Sequence, residues 1–288
     1  MQILGNTLPL IAAEKAGIIK QQVPVVEGQL PAEAAAVMAA RSQLLEAPRF
    51  VCGRDFTWSA NAAVPPGARS QAFRLLTPRS SFEHLEIPLL GRHQTHNASL
   101  AVMTCEVLQQ LGWPQITQST ISAGLRHTHW PLRFEILEGC PTIILDAAHN
   151  PDSINAVCQL LHEAEWRERA GTLIFAVSAD KDAEAMLRCV LPEFHRIVFT
   201  RFTCNPRSLP PDSLLATAQS LCSELAVSPA LHTADTPAAA VSLAKSLAAE
   251  TGYVLATGSI FLAAEIRGLL LRDHPLGTHA PPQATPAP

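Results

Sequence analysis

Apolar and polar positions follow two rhythms along this chain. Up to about residue 129, helical and strand-like patterns come in irregular order; from Thr142 onward short β-type runs alternate regularly with helical stretches. Leu8, Ile11 and Ala12 share one helical face, in a helix that Asn6 or Thr7 can cap and Gly17 can stop, and Lys15 lies one turn beyond Ile11. A short strand is predicted at residues 23–26, and Pro31 opens an alanine-rich helix through Leu44. Residues 50–52, 56–58, 73–76 and 85–90 read as strands, with a Pro/Gly turn over 63–67. A long helix is expected over about 93–111, ended by Gly112-Trp113-Pro114, then a second over 116–125.

Residues 126–131 have the composition of an interdomain linker. Beyond them, strands are predicted at 142–145, 172–177, 196–199 and 253–256, and helices at 152–164, 183–191, 213–221, 238–248 and 260–271. Such alternation implies an α/β fold, a mostly parallel sheet with helices on both faces. The division expected is residues 1–129, 130–272, and a disordered tail rich in Pro, Ala and Thr over 273–288.

Composition narrows the classes. Hydrophobic residues are 48% and charged residues 16% of the 288, so a sizeable core is available. Aromatics are only 5%, which makes that core aliphatic and alanine-rich. A net charge of −4 argues against a nucleic-acid binder, which needs a basic field. No apolar run is long enough to span a bilayer, and the first residues lack the pattern of a signal peptide. The seven cysteines are scattered and form no C-x-x-C pair, which reads as buried thiols in a reducing cytoplasm.

Chemistry gathers at a few places. Asp146 ends an apolar strand, and Asn150 and Pro151 start the next helix. In a parallel sheet ligands bind at the carboxyl ends of strands, so Asp146 and His149 would face a ligand edge. A carboxylate there suits ribose hydroxyls and an imidazole suits a base or phosphate; equally, Asp146 and Asn150 can simply cap the helix. Arg133 stands at the domain junction, where a guanidinium can reach a phosphate or pair with Glu135. Asn97 can meet the donor–acceptor edge of adenine or satisfy a helix start. His93 and His96 have no third ligand of matching spacing, so zinc is a poor reading. Lys15, if partly buried, becomes a better nucleophile toward carbon dioxide, and the carbamate formed can assist a magnesium site; otherwise it is a solvated lysine beside Glu14. Residues 178–182 and 257–259 follow predicted strands and suit either ligand contacts or helix caps.

Taken in order, several segments resemble the folylpolyglutamate synthase / dihydrofolate synthase family of the Mur ligase superfamily. They are LGNT (4–7), EKAGI (14–18), GRHQTHNA (91–98), residues 130–135, DAAHNP (146–151), DKD (180–182) and TGSIF (257–261). The resemblance implies the remnant of a P-loop-type ATPase domain followed by a Rossmann-like ligase domain. It implies ATP and Mg2+, a folate or dihydropteroate and L-glutamate as substrates, and an acyl-phosphate intermediate. Lys15 would match the family's carbamylated lysine, Asn97 an adenine contact, Asp146 a ribose contact, and Arg133 and His149 nucleotide contacts across an interdomain cleft.

Two departures stand out. The family carries a phosphate loop, G-x-x-x-x-G-K-[ST], upstream of EKAGI; here no glycine is followed by lysine. The family's glycine before the linker arginine is Leu132. The expectation is therefore an N-terminally incomplete chain, inactive alone, with a separately encoded N-terminal fragment as a candidate partner. The other readings are a noncatalytic binding or scaffolding protein derived from the ligase, or a Mur-type ligase for another carboxylate.

Overall fold

Two runs, Gly171-Thr-Leu-Ile-Phe175 and Tyr253-Val-Leu-Ala-Thr257, are buried along their whole length, as strands must be when helices cover both faces of a sheet. The computed structural model describes residues 7–60, 64–65, 67–164, 166, 169–248 and 252–273. Contacts divide the chain into two units, residues 1–129 and 130–288.

The first unit opens with α1 (Leu8–Ala16) and α2 (Ala32–Leu44), which pack on each other. The packed side of α1 matches the predicted face only in part: Ala12 is buried and Ile11 half-buried, but Leu8 is not on the packed side. Ala12 and Ala16 are buried while Leu8 and Leu10 stand exposed, because small side chains let the two helices approach closely. Pro31 precedes α2 as its cap residue rather than opening it. Strand β1 (Val25–Glu27) pairs in parallel with β2 (Arg49–Val51), and the buried Glu27 carboxylate is held by the Arg49 guanidinium at 2.9 to 3.3 Å. Strands β3 (Thr57–Ala60), β4 (Gln71–Leu76) and β5 (Ser81–Ile87) form an antiparallel meander. Its inner residues Phe73, Leu75, Phe82, Leu85 and Ile87 are buried with Val102, Met103 and Val107 of α3 (Arg92–Gln110) and Ile121 of α4 (Gln118–Arg126). Asn6, parts of the turn expected over 63–67, and the tail from 274 onward lie outside the described residues.

The second unit is a six-stranded sheet in the order β10-β9-β8-β11-β7-β6. The strands are β6 (Glu135–Leu137), β7 (Thr142–Leu145), β8 (Gly171–Phe175), β9 (Arg196–Phe199), β10 (Ala230–Thr233) and β11 (Tyr253–Thr257). All neighbours are parallel except β6, which lies antiparallel to β7. The helices are α5 (Pro151–Glu163), α6 (Ala183–Val190), α7 (Pro211–Leu225), α8 (Pro237–Leu247) and α9 (Ile260–Asp273). From β7 through β8 and β9 to β10 the chain moves one way across the sheet, so right-handed crossovers put α5, α6 and α7 on one face. The return from β10 to β11 puts α8 on the other face, where it packs on α9. Leu262, Ile266 and Leu270 of α9 close the core there with Ala240, Val241 and Ala244 of α8. The winding direction thus reverses at β11, and the crevice beyond the carboxyl ends of β7, β11 and β8 is where such folds bind ligands.

Two strands of this sheet were not legible in the sequence. β10 is an edge strand whose half-exposed Ala-Leu-His-Thr carries little apolar signal. β6 is three residues long and follows a backbone no local pattern announces.

Candidate functional site

Strand β7 runs through the buried Ile143, Ile144 and Leu145 and then delivers Asp146, which is 6% exposed. The carboxylate does not face outward. Its oxygens accept the backbone amides of Phe134 and Ala148, each at 2.8 Å. Burial pushes the acid up to about 6, against the opposing pull of those two amides and of Arg133 and His149. Each oxygen keeps a second lone pair, but the main visible job of Asp146 is to tie the segment before β6 to the end of β7. Asn150, by contrast, is the helix cap: its Oδ1 accepts Ser153 N at 2.8 Å, and Ser153 Oγ returns the contact to the Asn150 amide.

The tied segment is unusual. Leu132 (φ 63°) and Phe134 (φ 49°) both lie in the left-handed region, which costs an L-residue about 1–2 kcal/mol. The Asp146 bond, the bond from Ala147 N to Leu132 O at 2.9 Å and the burial of Phe134 hold it there. A glycine would take the Leu132 conformation freely, and this is the position where the resembling family has one. Between the two left-handed residues Arg133 is exposed. Its expected local partner is taken: Glu135 accepts Arg267 at 2.9 Å and the amide of Leu132 at 3.0 Å.

Arg133 therefore lines a hollow of about 230 Å³ at the strand ends. Ala147 and His149 reach it from the β7 loop, Ser178, Asp180 and Lys181 from the β8 loop, Arg207 from the β9 loop, and Ser259, Ile260 and Phe261 from the start of α9. His149 Nδ1 bonds Ala147 O at 3.0 Å; a carbonyl only accepts, so Nδ1 carries the proton and Nε2 is the other, uncommitted ring nitrogen. Lys181 pairs with Asp180 at 3.0 Å. Asp182, the last residue of this loop, caps α6 by accepting Ala185 N at 3.0 Å. Ser259 Oγ accepts Phe261 N at 3.2 Å at the head of α9. Gly258 (φ 99°) precedes it, its amide donating to Ala148 O at 3.1 Å.

Arg207 was missed in the sequence because its loop, 200–210, carries no motif. The loop is fixed from several sides. Glu265 of α9 accepts the amides of Thr203 and Cys204 and the Thr203 hydroxyl. Burial alone would raise the Glu265 acid, but these bonds outweigh it and hold the carboxyl below its usual range. Such a group stabilises the fold above the unfolded-state value of 4.5 and ceases to as pH falls through its folded value. Glu265→Gln is accordingly expected to lower the melting temperature by several degrees at pH 7, and by progressively less as the pH is taken down below 4.5, read by calorimetry across the acid range.

The remaining two candidates belong to the first unit. Lys15, in the last turn of α1, is exposed rather than partly buried, since the packed side of α1 runs through Ala12 and Ala16. Asn97 is exposed on α3, its Nδ2 reaching Gln94 Oε1 only at 3.5 Å. The start of α3 is set by Gln71, whose Nε2 donates to Leu89 O at 2.7 Å and Gly91 O at 2.8 Å. His96 is half-buried: its Nε2 is enclosed, its ring lies 5.8 Å from Trp58, and burial lowers its pKa. Among the described residues no three His, Cys, Asp or Glu side chains gather as a metal cage, and no helix is long and apolar enough to cross a membrane.

Comparison with known proteins bears on both units. Residues 132–260 match the family described as Mur ligase, glutamate ligase domain. The chain is 35% identical over 213 residues to folylpolyglutamate synthase of Lacticaseibacillus casei, covering 73% of this chain and 48% of that protein. It is 28% identical over 267 residues to dihydrofolate synthase/folylpolyglutamate synthase of Bacillus subtilis, covering 93% and 59%. Among solved structures it is similar to Mycobacterium tuberculosis folylpolyglutamate synthase complexed with ADP, with a TM-score of 0.81 at 28% identity, covering 92% of this chain and 60% of that one. The chain thus spans about half to three fifths of the length of these relatives.

Proposed function

Because the chain belongs to the Mur ligases, among the folylpolyglutamate and dihydrofolate synthases, we propose that it serves the ATP-dependent joining of L-glutamate to the carboxylate of a folate or dihydropteroate. One observation carries the reading: the stretch matching a glutamate ligase domain folds so that Arg133, Lys181, Arg207 and His149 line one hollow at the strand ends.

In the proposed reaction a carboxylate oxygen of the pterin substrate takes the γ-phosphoryl group of ATP, and ADP leaves. The unprotonated amine of glutamate then attacks the acyl carbon, the C–O bond to phosphate breaks, and the nitrogen loses a proton as the amide forms. Negative charge spreads over phosphoryl and acyl oxygens, so cations already in position lower the barrier without reorganising. Arg133 supplies such a cation on a backbone fixed by Asp146, and His149 Nε2 is a second contact for the nucleotide. The lone pairs left on Asp146 are the ones a ribose hydroxyl would meet. Asn97 is the adenine contact, and exposed Lys15 is the amine open to carbamylation. Among the described residues no three His, Cys, Asp or Glu side chains gather to fit a resident Mg2+, whose usual shell is carboxylates, phosphates and water.

The sequence holds no phosphate loop to cradle the β- and γ-phosphates. The chain alone is therefore expected to incorporate no labelled glutamate into dihydropteroate or tetrahydrofolate. Adding a polypeptide that carries a phosphate loop should restore incorporation. Failure to restore it, together with failure of the chain to bind a non-hydrolysable ATP analogue, would instead favour a noncatalytic protein.

A further inference from the structure

We propose that Arg267 of α9 is a positioning residue for Arg133: it holds the Glu135 carboxylate away from the Arg133 guanidinium and so leaves that cation open to an anionic ligand. The proposal rests on the ligase reading only for the identity of that ligand, a nucleotide phosphate; the competition itself lies within this chain.

The first support is where the three groups stand. The Glu135 carboxylate accepts the amide of Leu132 at 3.0 Å, which sets it one residue from Arg133 along the left-handed turn. Arg133 is exposed, and the Glu135 side chain keeps 14% of its surface in contact with solvent. A carboxylate and a guanidinium so placed would pair, as their order in the sequence suggests. They do not. Arg267 Nε donates to both Glu135 oxygens at 2.9 Å, and among the described residues Arg133 forms no ion pair.

The second support is that the other acids nearby are also engaged. Asp146 lies close enough for its charge to act on Arg133, but its oxygens accept the amides of Phe134 and Ala148. Asp180, in the same hollow, pairs with Lys181 at 3.0 Å. A guanidinium neutralised by a carboxylate must break that pair before it takes a phosphate, and the loss appears as weaker binding. Arg133 is spared this because each neighbouring acid has another partner.

The third support is that Arg267 stands on a rigid element. Leu262, Ile266 and Leu270 anchor α9 in the core, whereas the turn it steadies carries two strained residues, Leu132 and Phe134. Glu135 thus has two tasks: it holds the turn through the Leu132 amide, and it is withheld from Arg133. A glutamine at this position can still accept that amide but has no charge, so substitution separates the tasks.

The test reads Arg133 directly. The folded full chain is treated with phenylglyoxal, which modifies free guanidinium groups, and the rate at Arg133 is followed by peptide mass spectrometry against the exposed Arg126 in the same sample. Arg267→Met releases Glu135, so modification of Arg133 should slow about 2- to 5-fold, the factor an exposed ion pair allows. Adding Glu135→Gln to Arg267→Met should restore the wild-type rate, and Arg267→Lys should keep it. A merely structural role for Arg267 gives the opposite sign: a loosened turn would speed the reaction, and the second substitution would not reverse it. The proposal is overturned if Arg133 in Arg267→Met reacts at the wild-type rate or faster, or if the double variant stays as slow as the single one. Glu135→Gln alone should leave the rate unchanged; a faster reaction there would show that Glu135 already screens Arg133, and would overturn the proposal with Arg267 intact. Binding of a non-hydrolysable ATP analogue to the same variants tests the ligase reading separately, since its affinity should follow the labelling rates. The expected labelling pattern with no nucleotide bound by any of them would uphold the role of Arg267 and remove the ligase reading.

Discussion

Gly258→Ala is expected to cost the second unit about 3–5 kcal/mol and to lower its melting temperature by roughly 10–20 °C. Two effects add. At φ 99° the backbone is in a region that L side chains rarely adopt. A Cβ would also stand 2.5 Å from Ala176 O and 2.7 Å from the Phe175 ring, both in the fully buried centre of the sheet, where neither neighbour can retreat. Gly112 separates these effects. Its φ is 97°, but an added Cβ meets nothing within 4 Å, so Gly112→Ala should show the backbone strain alone, about 1–2 kcal/mol. Equal losses at the two positions, measured by chemical denaturation, would refute the steric account of Gly258. Because Gly258 leads into Ser259 and the head of α9, the same substitution should disorder the lining of the hollow before it unfolds the unit.

Asp146→Ala is the second large effect. It leaves two amides, those of Phe134 and Ala148, without their acceptor, at about 1–3 kcal/mol each when buried. It also releases the left-handed segment that presents Arg133, so nucleotide binding should fall further than stability does. The pH dependence has a definite sign. The acid titrates near 3.8 when unfolded and at about 6 when folded, so the folded state favours the protonated form. Asp146 therefore adds stability that is complete below about pH 4 and is lost as pH rises through 6, by at most about 3 kcal/mol. Subtracting the profile of Asp146→Asn from that of the wild-type chain cancels the other acids, Glu265 among them. The difference should be flat below pH 4, fall between 4 and 6, and level off above. A difference that rises across this window would show that the two amide bonds, not burial, decide the state of this carboxyl.

Much of the fold was legible residue by residue. Thr142–Leu145 and Arg196–Phe199 are the strands the apolar runs mark, because a strand buried on both faces writes itself as a continuous apolar word. Thr236-Pro237 and Asn150-Pro151 start α8 and α5 where cap and first-turn proline say they must. The strand β10 was not legible, since an edge needs little burial and so leaves little pattern. Nor was all of the inner side of α1, where alanine rather than leucine packs.

The candidate site divides in the same way. The residue types around Asp146 and His149, their place after a strand, and the family they resemble all come from the order of amino acids, because capping and strand-end chemistry act over a few residues. Which groups face a ligand does not. The sequence offered Glu135 as a partner for Arg133, and the fold gives Glu135 to Arg267, 132 positions away. It offered Asp146 as an outward carboxylate, and the fold turns it onto two buried amides. It gave no hint of Arg207, which enters the hollow only because Glu265, Ala179 and Val177 fasten its loop. Hydrogen bonds between distant loops, and the close approach allowed at Gly258, are consequences of packing; no local pattern encodes them.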